Sequence, residues 1–288
     1  MGGRKTIYRH AGSRDAILAL YDAQLEKLGA PFRDIYVDTR YGATHIVETG
    51  NAKGMPLVLL HGGNATSAYN LLLFRFLLSE FHLYAVDIIG HPGKSAEVSL
   101  PPGGSDYGYW LGDVITALGF QSVRCCAGSF GAGVLARAIS TVPEKVARSV
   151  LIVPSGIRNA GAVSVSMISP LLLYRATHRE RYLVRCMLPM ALSEDNIDAD
   201  TRETVRLSLE HVRIKAGMPG NIRLAVPSAV PVLVMAAEKD CLFPAERVLP
   251  QARRLFSDCA AYELTGRGHM CVLTEDEKMM ILAFLLGA

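Results

Sequence analysis

Residues 125–133 read CCAGSFGAG, a serine set among small residues where a β-rich run gives way to a helical pattern. The run from Ser122 to Cys126 predicts a strand, and Gly131 to Thr141 predicts a helix. A strand that becomes a helix within a residue or two bends sharply. The residue at the bend is forced into strained backbone, and neighbouring chain comes close. Ser129 occupies the bend. The residues two before and two after it must be small, and they are Ala127 and Gly131. A serine before a helix is also what an ordinary N-cap looks like, so the meaning of Ser129 depends on the rest of the chain.

Outward from this turn, short apolar runs alternate with helical patterns, the signature of a mainly parallel sheet covered on both faces. An amphipathic helix is predicted from Ser13 to Leu28, followed by strands at Ile35–Asp38 and Thr44–Thr49. The unbroken run PLVLLH (56–61) suits a central buried strand. Then come a helix over Ser67–Ser79, a strand at His82–Val86, a helix over Asp106–Leu118 and, after the serine turn, a strand at Ser149–Val153. The rhythm breaks at Pro154–Ser155–Gly156, and residues 156–225 are mostly helical. A long excursion without strands predicts an inserted helical cap after the sixth strand. The core then comprises 1–155 and 226–288, closed by strands at Val232–Ala236 and Cys259–Leu264 and helices over Glu246–Phe256 and Thr274–Leu286.

A serine hydroxyl is a poor nucleophile at neutral pH. It needs an imidazole to take its proton, and the imidazole needs a carboxylate to fix its tautomer and stabilise its cation. After Ser129 the chain supplies an acid and then a histidine in that order. Asp240 lies in AAEKDCLFP, just past the strand VLVMAA, and His269 lies in GRGHM, after the next strand. Gly266 and Gly268 let that loop turn tightly. Glu238 is a rival acid; Asp240 is preferred because it lies further out on the loop. The candidate catalytic set is therefore Ser129, Asp240 and His269.

Acyl transfer also builds negative charge on a carbonyl oxygen, which preorganised backbone donors must meet. HGGN (61–64) directly follows the strand PLVLL, and Gly62 and Gly63 let main chain approach a substrate with no side chain in the way. The Gly63 and Phe130 amides form the candidate oxyanion hole, and Asn64 is a candidate substrate contact. His10, His45, His82, His178 and His211 have no motif around them and read as surface or satisfied packing residues; His91 shapes the turn GHPGKS.

Five segments in order, HGGN at 61–64, DIIGHPGKS at 87–95, AGSFG at 127–131, EKDCLFP at 238–244 and GRGH at 266–269, give the chain a resemblance to the α/β-hydrolases over nearly its whole length. Within them it resembles the bacterial carboxylesterases with a helical cap. The resemblance implies an eight-stranded, mostly parallel sheet with helices on both faces, a cap after the sixth strand, a site at the carboxyl edge beneath it, and no cofactor. Ala127 stands where the usual pattern has glycine, and Pro92 adds a residue to the usual turn after Asp87. Epoxide hydrolases and haloalkane dehalogenases of this superfamily carry an aspartate at the elbow, so Ser129 argues against both.

The remaining features limit partners. With 288 residues, half of them apolar, the chain can bury a full core. A net charge of +3 without a dense basic stretch argues against a nucleic-acid partner. Six cysteines show no metal-ligand spacing, so neither a metal nor a disulfide framework is expected. MGGRKTIYRH has no apolar core to act as a signal peptide, and LLLFRFLL (71–78) is short and broken by Arg75; a cytoplasmic protein off the membrane is the expectation. Met167, Leu171, Leu172, Met187, Leu188 and Met190 line either a pocket or the cap's own core, with the core favoured by their helical spacing. Arg175, Arg179, Arg181 and Arg185 read as a solvated face.

The expected activity is hydrolysis of a small carboxylic ester through an acyl-enzyme. A C–C bond hydrolase, a thioesterase or lactonase, an acyltransferase or perhydrolase, and a ligand-binding relative without turnover are the alternatives. The oligomeric state is left open, a homodimer being one option.

Overall fold

The computed structural model describes residues 6–160, 165–214 and 217–287. Helix α1 (Ser13–Leu28) precedes a hairpin of β1 (Phe32–Thr39) and β2 (Gly42–Gly50). These two strands are longer than the apolar pattern predicts. They pair antiparallel over their full length, from Phe32 opposite Thr49 to Thr39 opposite Gly42, so ladder bonds recruit the polar flanks Arg33 and Asp34.

Beyond the hairpin run β3 (Met55–Leu60), α2 (Ser67–Leu73), β4 (Phe81–Val86), α3 (Asp106–Ala117), β5 (Val123–Gly128), α4 (Ser129–Thr141) and β6 (Val146–Ile152). Helix α2 is shorter than predicted, because after Phe74 the chain tightens into a 3₁₀ turn over Arg75–Leu77 with i→i+3 bonds. Strand β6 starts three residues earlier than predicted, since Val146 and Arg148 pair with Val123 and Arg124 of β5. Then come α5 (Val165–Thr177), α6 (Glu180–Ala191), α7 (Ala199–His211), β7 (Val232–Ala237), α8 (Ala245–Leu255), β8 (Cys259–Leu264) and α9 (Glu275–Leu286).

The strands form one sheet in the order β1-β2-β4-β3-β5-β6-β7-β8, parallel from β4 onwards, with β2 antiparallel to both its neighbours. Leu57, Leu59, Val58, Leu60, Cys125, Cys126 and Val150 are fully buried from both faces, which accounts for their continuous apolar runs. One core cluster joins α3, α4 and α8 to one face, and the other joins α1, α2 and α9 to the opposite face. A third, around Tyr174, Leu183, Met187, Ile197 and Leu209, belongs to α5–α7. Among the described residues no helix is long and apolar enough to cross a membrane.

The order β4-β3-β5 places the third strand between the fourth and the fifth, a topological switch point. In open parallel sheets the crevice outside the carboxyl ends of the strands at such a point receives ligands. The loops that leave β3, β5, β7 and β8 at this edge carry Gly63, Ser129, Asp240 and His269.

Candidate active site

Strand β5 ends at Gly128 and α4 begins at the next residue, two earlier than predicted. Ser129 pivots between them with φ of 52°, the left-handed region that a residue with a Cβ enters at a cost. The small neighbours have specific reasons. A Cβ on Gly131 would lie 2.5 Å from the His61 carbonyl oxygen and 2.9 Å from that of Leu60. Helix α4 therefore starts against the end of β3, and only glycine permits the approach. Ala127 is fully buried within β5, opposite Leu60 and Leu151. Ser155, which in the sequence marks only a break in the rhythm, donates through both its N–H (3.2 Å) and its Oγ (3.1 Å) to the Ser129 carbonyl and anchors the bend.

The structure brings the three predicted side chains into one line. Ser129 Oγ lies 2.9 Å from His269 Nε2, and His269 Nδ1 lies 2.8 Å from Asp240 Oδ2. The other Asp240 oxygen accepts the backbone N–H groups of Leu242 (2.7 Å) and Phe243 (3.0 Å). Burial would raise the Asp240 carboxyl, but the adjacent His269 and these amides hold it below the usual 3.8. An ionised Asp240 accepts from Nδ1–H, which leaves Nε2 free to accept the Ser129 proton. Glu238, the rival acid, is spent elsewhere: its Oε2 accepts Gly266 N–H at 2.6 Å.

The histidine loop is held from outside the sheet. Met270 N–H donates to the Met190 carbonyl of α6 at 3.0 Å, and a Cβ on Gly268 would lie 2.3 Å from that oxygen. Phe243 packs edge-on to His269, with ring centroids 5.3 Å apart.

On the other side of Ser129 runs the 61–64 loop. Ideal Cβ positions on Gly62 and Gly63 come within 3.7 Å of the Ser129 Cβ and 3.4 Å of the Phe130 Cβ. Gly63 N–H has no acceptor among the described residues. Phe130 lies in the first turn of α4, where backbone N–H groups have no helical partner. The loop is braced by His61, fully buried, whose Nε2 accepts Ile88 N–H (2.9 Å) and whose Nδ1 lies 2.7 Å from the Gly62 carbonyl. Burial lowers its pKa and so favours the neutral ring this pattern requires.

Asn64 has φ of 55° and lines a water-sized cavity with Tyr21, Gln24, Pro92 and Thr204, between its loop and helices α1 and α7. His91 does more than shape its turn, since its ring packs tilted against that of Phe130, with centroids 4.4 Å apart. His45, read as an unremarkable position, has no exposed surface and faces two carboxylates. No local motif announces it, because its partners come from β1 and from the end of β4.

In the helical segment, Met187, Leu171 and Leu188 pack in its own core, whereas Leu172 is exposed; the Met167 side chain lies outside the described residues. Arg175, Arg179, Arg181 and Arg185 are all exposed. The six cysteines are free, and burial pushes the Cys125 and Cys126 thiols well up, which holds both in the protonated, unreactive form. Among the described residues no cluster of His, Cys, Asp or Glu is arranged to hold a metal ion.

Comparison with known proteins gives concordant results. Residues 57–279 match the model of the alpha/beta hydrolase family. A 135-residue stretch is 34% identical to carboxylesterase YbfK of Bacillus subtilis (strain 168), covering 47% of this chain and 46% of that protein. The chain thus aligns with just under half the length of this curated relative. The crystal structure of carboxylesterase CesB (YbfK) from Bacillus subtilis superposes with a TM-score of 0.80 at 24% identity, covering 96% of this chain and 99% of the other. That of naproxen esterase (carboxylesterase NP) from Bacillus subtilis gives 0.75 at 20% identity, over 96% and 99%.

Proposed function

Because the chain belongs to the alpha/beta hydrolase family and aligns Ser129, His269 and Asp240 in hydrogen-bond contact, we propose that it hydrolyses small carboxylic esters through an acyl-enzyme on Ser129. The single observation that carries this reading is the 2.9 Å contact between Ser129 Oγ and His269 Nε2 in a ring already oriented by Asp240. The carboxylesterase relatives support the substrate class.

In the first half-reaction, Ser129 Oγ attacks the ester carbonyl carbon while His269 Nε2 takes its proton. The resulting imidazolium is stabilised by Asp240, and the oxyanion accepts from the Gly63 and Phe130 amides. The C–O bond then breaks and His269 returns the proton to the leaving alcohol. In the second half, His269 deprotonates water, which attacks the acyl carbon and releases the acid from Ser129. Nucleophile, base and oxyanion donors are all residues of the chain, so the scheme calls for no cofactor. Residues 156–225 act as a cap over this site and shape the acyl or alcohol pocket; the Met190 to Met270 bond supports that role. The partner is a small-molecule ester, and nucleic acid and membrane have no part in the scheme.

The test is turnover of short p-nitrophenyl esters set against thioesters, lactones and a vinylogous diketone. The ester should be the fastest of these and should lose turnover in Ser129→Ala. Faster cleavage of the diketone, or ester turnover that survives Ser129→Ala, overturns the reading.

A further inference from the structure

A second carboxylate–imidazole arrangement lies behind the oxyanion loop. His45, on β2, is fully buried, and both its ring nitrogens face carboxylates: Nδ1 is 2.8 Å from Asp87 Oδ2 and Nε2 is 2.6 Å from Asp34 Oδ1. Burial would raise both carboxyls, but the bond to His45 and its charge hold each below the usual range. Carboxylate oxygens accept, so each ring nitrogen is placed to bond the carboxylate it faces, and His45 bridges the two. Lys94, 3.4 Å from Asp34, adds a cation at the outer end.

Asp87 is the residue at which β4 gives way to its loop, and it is also fully buried. Its Oδ1 accepts Ser67 N–H at 3.0 Å, and its Oδ2 also accepts Lys94 N–H at 2.9 Å. Ser67 is the first residue of α2 and closes the 61–66 loop. The next residue, Ile88, holds the loop's other end by donating to His61 Nε2. The segment carrying Gly62 and Gly63 is therefore fastened at both ends to residues 87 and 88. Ser95 completes the frame by accepting His45 N–H (2.8 Å) and donating to the Asp87 carbonyl (2.7 Å). A lone buried carboxylate would take up a proton and lose its acceptor strength; the bond to His45 keeps Asp87 ionised.

We propose that His45 is a positioning residue for the oxyanion hole, a buried bridge between two carboxylates that never meets substrate but fixes the Gly63 amide relative to Phe130 through Asp87 and Ser67. This rests on the serine-hydrolase reading above. Oxyanion donors bind the transition state more tightly than the ground state, so loosening them lowers kcat with little change in KM. A merely structural histidine would instead reduce the folded fraction and leave kcat per active site unchanged.

The test compares the wild-type chain with His45→Asn, which removes the bridge between Asp34 and Asp87, and Ser67→Pro, which deletes the N–H that Asp87 accepts along with the Ser67 Oγ bond to Tyr21 OH (2.7 Å). Proline is tolerated at the first helical position, and Thr66 is already extended at φ −125°, ψ 162°, so the backbone accommodates Ser67→Pro, and circular dichroism of each variant checks that it folds. Steady-state turnover of a p-nitrophenyl ester is normalised to active sites titrated with a fluorophosphonate. Both variants should lose about 10- to 100-fold in kcat, with KM within about threefold of wild type. Unchanged kcat per titrated site in either variant, or a loss confined to KM, overturns the proposal. If the wild-type chain itself neither turns over esters nor takes the label, the serine-hydrolase reading fails instead.

Discussion

The carbonyl oxygen of Met190 accepts the backbone N–H of Met270 at 3.0 Å, one residue beyond His269. The imidazole that bonds Ser129 is thus positioned by the sheet-edge loop and also by the C-terminal end of α6. The contact between α6 and this loop leaves no space for a side chain at Gly268, whose Cβ would lie 2.3 Å from the same oxygen.

Gly268→Ala must push the loop away from α6 and carry His269 with it. A displacement near 1 Å at a reacting group costs roughly 10²-fold. The variant is expected to lose about that much in kcat, read by ester turnover. Met190→Leu keeps the main-chain carbonyl and should stay within about twofold of wild type, since such a volume-conserving swap is tolerated. Equal losses in the two variants would mean that the side chain, not the carbonyl, makes the contact that matters.

The two acids on the β7 loop divide their work. The Asp240 carboxylate bonds His269, while the Glu238 carboxylate bonds the Gly266 amide. Asp240→Asn should lower kcat by about 10⁴-fold through the wrong histidine tautomer. Glu238→Gln retains an acceptor for Gly266 and should leave kcat nearly unchanged. The reverse ranking in steady-state kinetics would reassign the acid.

Acid should destabilise the chain in a predictable direction. Asp34, Asp87 and Asp240 bind protons less readily folded than at their ordinary value of 3.8. Their contribution to stability is fully present above about pH 3.8 and is lost as the pH falls through the lower, folded values. Melting temperature followed by circular dichroism should therefore drop steeply below about pH 4. Asp87→Asn should melt lower at pH 7 and fall less on acidification, having one titrating group fewer. Parallel profiles for variant and wild type would show that Asp87 is not ionised in the folded chain.

The candidate site's outline is legible in the sequence because its signals are local. Ala127, Ser129 and Gly131 report a bend within five residues, and Asp240 and His269 each follow an apolar strand closely. Element ends were less legible where long-range contacts set them. The β1–β2 ladder recruits polar residues that carry no apolar alternation, and α4 begins at Ser129 because the bend itself supplies its first turn. His45 carries no local signal because its significance lies in its contacts with Asp34 and Asp87, which lie on two other segments. Ser155 carries none for a similar reason: its two bonds to the Ser129 carbonyl span 26 residues. A buried polar residue is meaningful through its partners, and only the fold names them.

In the proposed reaction Ser129, activated by His269, is the nucleophile. The most direct measurement is intact-mass and peptide mass spectrometry after treatment with a fluorophosphonate. One adduct per chain is predicted, on the peptide containing Ser129, absent in Ser129→Ala and much slower to form in His269→Ala. An unlabelled wild-type chain that is folded, or an adduct on another residue that accompanies ester turnover in Ser129→Ala, would contradict it.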